Sequence, residues 1–101
     1  MKVRYRQSGG VGGLILGADL DSEKMPRDEA EELARLVKQA ALDKIGVKKS
    51  SRGRDLTNYE IILEDNGKTT KASFDDMTIP ADVQPLLDFL NRRASARPLD
   101  D

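Results

Sequence analysis

The chain has 101 residues, 38% hydrophobic and 35% charged, which is apolar material for one core and not for two. Lys and Arg total 17 against 18 Asp and Glu, a formal charge of −1, so no global field draws the chain to nucleic acid or anionic lipid. Cysteine and histidine are both absent, which removes disulfides, thiol nucleophiles, the usual zinc sites and the commonest general base together.

Residues 2–7 alternate, with Val3, Tyr5 and Gln7 on one side and Lys2, Arg4 and Arg6 on the other, the pattern of a strand with one wet face. This opening lacks the apolar stretch of a secretory signal, and no apolar run is long enough to span a bilayer. The expectation is a soluble, cytoplasmic protein without membrane contact. Ser8-Gly9-Gly10-Val11-Gly12-Gly13 has the backbone freedom of a hairpin loop and little side-chain bulk. Alternation resumes with Leu14, Leu16, Ala18 and Leu20, so residues 14–21 are predicted to be the returning strand.

Met25-Pro26 places a proline where a first helical turn tolerates it. Leu33, Leu36, Val37, Ala40 and Ala41 then make one apolar stripe, and the predicted helix covers 26–43, stopping before Gly46. Residues 46–56 are basic and rich in glycine and serine, a mobile surface connection. Tyr59, Ile61 and Leu63 alternate within a strand over 57–64, Asn66-Gly67 supplies a tight turn, and residues 69–75 return with Ala72 and Phe74 facing inward. Val83, Leu86, Leu87 and Leu90 sit at helical spacing. Either this helix starts near Asp82 and tolerates Pro85 early, or Pro80 to Gln84 is a separate turn.

This order predicts an α+β fold: a four-stranded antiparallel sheet with two helices packed on one face, ββαββα along the chain. The expected organisation is one domain over residues 1–94 and a flexible tail over 95–101.

The glycine turn of Gly9, Gly10 and Gly13-Leu14, the Asp19-Leu20-Asp21 strand end and Met25-Pro26 before an acidic helix together resemble the emfourin family. Tyr59-Glu60-Ile61, Glu64-Asp65-Asn66-Gly67, Phe74-Asp75-Asp76, Ile79-Pro80 and Pro85-Leu86-Leu87 continue the resemblance, which covers about residues 2–91. Emfourins are protein inhibitors of thermolysin-like metallopeptidases such as protealysin. The resemblance therefore implies a zinc endopeptidase as protein partner. No cofactor is expected, and the free protein is expected to be a monomer.

Ser8, Gly9, Gly10, Val11, Gly12, Gly13 and Leu14 are the candidate target-binding residues. A loop without bulk lets backbone approach a narrow cleft, while Val11 and Leu14 offer aliphatic groups to a pocket. The bland reading is a slack hairpin turn, yet four glycines cost ordering entropy that a two-residue turn avoids. A phosphate loop is the weaker reading of this segment, because Leu14-Ile15 stands where Gly-Lys-Ser/Thr is needed. Lys48, Lys49, Arg52 and Arg54 could touch phosphates, which leaves an alternative protein- or RNA-interaction module using residues 48–54. No aromatic interleaves with them to stack on bases, so they are read first as a solvated loop. Asp75-Asp76 and Asp19/Asp21 could pair as acid and base or hold a hard cation, but capping of the segments that follow is the simpler explanation. With no catalytic constellation visible, the chain is expected to bind rather than catalyse.

Overall fold

The computed structural model describes residues 1–9, 15–48 and 56–97. The two alternating stretches near the N-terminus form β1 (Lys2–Gly9) and β2 (Ile15–Asp21), a hairpin paired from Lys2 opposite Asp21 to Gln7 opposite Leu16. Asp21 closes β2 by accepting the Glu23 N–H at 3.1 Å, which caps a 3-10 turn over Ser22–Lys24.

Helix α1 (Arg27–Ala40) buries Leu33, Leu36 and Ala40 and places Asp28 and Glu29 in the first turn, where the helix dipole favours acid. It ends three residues before the predicted limit of 43. Ala41 adopts the left-handed conformation (φ 49°, ψ 55°), which closes a helix. The 3-10 turn Leu42–Lys44 that follows brings Leu42 and then Ile45 into the core.

Three strands come next: β3 (Val47–Lys48), β4 (Thr57–Asp65) and β5 (Lys68–Asp75). Asn66 (φ 52°) and Gly67 (φ 77°) turn β4 into β5 with the paired positive φ values that suit a two-residue hairpin. A 3-10 turn over Ala81–Val83 leads into α2 (Gln84–Asn91) with Pro85 in its first turn, so both sequence-level descriptions of this segment hold in part. β6 (Ser95–Arg97) completes the described chain.

Among the described residues the sheet has six strands, not four, in the order β3-β5-β4-β1-β2-β6. The additions are edge strands of two and three residues, too short to show alternation. β3 runs parallel to β5, pairing Val47 with Ser73 and Lys48 with Phe74, so the sheet is mixed rather than wholly antiparallel. β6 pairs with Ile15–Gly17, which takes residues 95–97 out of the expected tail and into the sheet.

Val3, Tyr5, Ala18, Ile61, Ala72 and Phe74 share the inner face and pack with Leu33, Leu36, Leu86, Leu87, Phe89 and Leu90 of the helices in one core. The Tyr5 hydroxyl donates to Asn91 Oδ1 at 2.5 Å, tying the end of α2 to the sheet. Burial, then the nearby Tyr59, pushes this phenol above its ordinary pKa. Arg93 links the two helices: its Nη2 lies 2.7 Å from Glu29 Oε1 and its guanidinium 3.7 Å above the Phe89 ring. The other sheet face carries Arg6–Asp19 (3.0 Å), Arg4–Asp19 (3.6 Å) and Lys71–Glu60 (3.2 Å) ion pairs. Exposed pairs of this kind stabilise by ~0–1 kcal/mol each, so their main effect is to keep an open sheet face wet.

Candidate functional site: the loop end of the sheet

Among the described residues, β1 continues past the last residue it shares with β2. Ser8 and Gly9 pair with Asn58 and Thr57 of β4, while the described pairing with β2 runs to Gln7 opposite Leu16. Of the candidate target-binding residues, Ser8 and Gly9 are therefore strand rather than loop, paired with β4. They form the base from which the segment springs. Gly10, Val11, Gly12, Gly13 and Leu14 lie outside the described residues.

Gly9 is glycine for two reasons. Its φ of +100° is a backbone state that side-chain-bearing residues rarely adopt, and a Cβ built on it would stand 2.6 Å from the Leu56 carbonyl oxygen. The neighbour is backbone and cannot swing aside, so the exit angle of the chain from β1 depends on the missing side chain.

Strand direction gathers a second connection at this end. β1, β3 and β5 all finish here, and β2 and β4 begin here. The chain leaves at Gly9 and returns at Ile15; it leaves again at Lys48 and returns at Leu56. Parallel pairing of β3 on β5 is what puts both departures on one edge.

The turn after β5 pins the second connection at both of its ends. Asp75 is 1% exposed and its carboxylate accepts the Met77 N–H at 2.9 Å. The Asp75 N–H donates to Thr78 Oγ1 at 2.9 Å, and the Thr78 hydroxyl donates to the Lys48 carbonyl, fixing the departure point. Asp76 fixes the return: its carboxylate accepts the Thr57 N–H at 2.9 Å and the Tyr59 hydroxyl at 2.7 Å, and its own N–H donates to the Thr57 carbonyl at 3.1 Å. The bond from Thr57, then that from Tyr59, holds the Asp76 carboxyl below its ordinary value, while burial first and the Asp76 contact next push Tyr59 up to about 12.

A depressed carboxyl stabilises the fold at pH above its unfolded value of 3.8 and loses that contribution as pH falls through the lower folded value. Asp76→Ala is thus expected to lower the melting temperature by a constant amount near neutrality, with the gap to wild type closing below about pH 4. A gap that stays constant in a melting series down to about pH 2 would show that the carboxylate's charge is irrelevant to the clamp.

The acidic pairs therefore act structurally. Asp75 and Asp76 organise the turn, Asp21 caps the next 3-10 turn, and Asp19 accepts from both Arg6 Nη1 (3.0 Å) and Nη2 (3.2 Å). Among the described residues no three His, Cys, Asp or Glu side chains come together as a metal site. Of the basic run, Lys48 is exposed at the end of β3, and Lys49, Arg52 and Arg54 lie outside the described residues. Capping by Asp75-Asp76 is the expectation from sequence and Asp75 fulfils it at Met77; the ties to Lys48 and Thr57 go beyond it, because they depend on residues distant in the chain.

A depression of about 700 Å³ lies at the opposite end of the sheet, where Lys2, Arg4, Asp21, Met25 and Ile62 line it. A molecule that binds by projecting a segment into another protein needs no concavity of its own. The loop end, not this depression, is the candidate site.

Comparison with curated proteins and with solved structures returned no significant match. The family model for emfourin matches residues 5–91. That span runs from the core tyrosine of β1 to the last residue of α2 and includes both connections at the loop end, and with nearly the whole domain matched, the chain belongs to the emfourin family.

Proposed function

We propose that the protein inhibits thermolysin-like zinc metallopeptidases, by binding and without catalysis, inserting the Ser8–Leu14 segment into the active-site cleft. The observation that carries this reading, alongside family membership, is Gly9: a residue paired with β4 at φ +100°, where only a side-chain-free residue fits, at the base of a glycine-rich segment. A catalytic zinc keeps one coordination position open for water or substrate. Backbone without side chains can approach that position closely, and Val11 and Leu14 supply apolar groups for the flanking pocket. Mounting the segment on a paired strand lowers the ordering cost of binding relative to a free peptide.

The test is a titration of the purified protein against several thermolysin-like enzymes with a peptide substrate. Saturable loss of hydrolysis is expected, with Val11→Asp raising the inhibition constant at least about tenfold because a carboxylate replaces an apolar contact. Folded wild-type protein that leaves hydrolysis untouched at micromolar concentration with every enzyme tried would remove the reading.

A further inference from the structure

We infer that Val47 and Met77 form a second contact with the peptidase, on the apolar surface flanking its cleft; this rests on the inhibitor reading above. Among the described residues these are the large hydrophobic side chains left in water, at 72% and 63% exposure. Isolated exposed apolar residues are ordinary. These two are not isolated from one another: the Thr78 hydroxyl, one residue after Met77, donates to the carbonyl of Lys48, one residue after Val47.

Nor is the Met77 backbone slack. Its N–H is held at 2.9 Å by Asp75, a carboxylate that is itself 1% exposed, and Asp76 binds Thr57, the residue paired with Gly9. Strand pairing at Gly9 and Thr57 and the hydrogen bonds of the clamp thus connect the base of the segment with the methionine turn. β4 alone separates β1 from β5, so the two points stand about 10 Å apart at the spacing of adjacent strands.

A globular enzyme that admits the Ser8–Leu14 segment to its cleft must meet this corner with its rim. Methionine is enriched in interface cores and adapts to irregular apolar surfaces. A contact made at the same moment as insertion adds affinity without a further loss of translational freedom. The surface therefore has a committed occupant, the peptidase whose cleft is filled.

The experiment compares Val47→Ser, Met77→Ser and the double variant with wild type against one inhibited peptidase. Lys68→Ser, at the opposite end of β5, is the control. Each single change is expected to raise the inhibition constant about fivefold and the double change at least about tenfold, chiefly through faster dissociation, with the control unchanged. Melting temperatures should match wild type, because these side chains leave water only in the complex. If wild type inhibits but the double variant stays within about twofold of it, this inference fails and the inhibitor reading stands. If wild type does not inhibit, both fail. Sedimentation provides the third outcome: a self-associated free protein that the double variant turns into monomers would mean the corner meets a second copy, which overturns the inference.

Discussion

Gly9→Ala is expected to weaken inhibition by about 10- to 100-fold, the larger value if the last β1–β4 rung opens. The reason is geometric. At φ +100° an alanine is strained by about 1–3 kcal/mol, and its Cβ would press on the Leu56 carbonyl oxygen 2.6 Å away. Relief requires the chain to leave β1 at another angle, and on the proposed mode of inhibition the Ser8–Leu14 segment would then meet its target misaligned. Gly67→Ala is the companion measurement: φ there is +77°, but nothing lies within 4 Å of the added carbon. It should cost about 1 kcal/mol of stability and leave inhibition unchanged. Equal inhibition constants for Gly9→Ala and wild type would show that the exit from β1 does not determine binding.

The largest loss of stability is expected from Phe74→Ala. Phe74 is fully buried, and its ring stacks on Tyr59 with centroids 5.6 Å apart and planes at 27°. Truncating a buried Phe costs about 3–5 kcal/mol, much of a small domain's total stability. The melting temperature should fall by more than about 12 °C. Tyr59 also donates to Asp76, so the cavity would open beneath the clamp that holds Thr57. Inhibition by the folded remainder should weaken too. A loss below about 1.5 kcal/mol in denaturant melts would mean that Tyr59 and its neighbours collapse into the space.

The strands and helices that alternation and three-four spacing could reveal were legible in the sequence: β1, β2, β4 and β5 fall within a residue or two of the expected limits. So did the Asn66-Gly67 turn and the inward placing of Ala72 and Phe74. What stayed hidden depends on partners distant in the chain. Val47 and Lys48 are strand only because Ser73 and Phe74 lie beside them, and Ser95–Arg97 only because Ile15–Gly17 does. The early end of α1 follows from burial of Leu42 and Ile45, which no local rule gives. Ser8 and Gly9 were recognised as unusual for their glycine-rich surroundings, but their strand pairing depends on β4, some fifty positions away.

The direction of the strands has a practical corollary. Asn66 and Gly67 join β4 to β5 at the end of the sheet remote from Gly9 and Lys48, and both are exposed to water. A dye, an affinity handle or a surface linker installed there would face away from the proposed binding end, while that opposite rim could be re-sequenced for new targets on an unaltered scaffold.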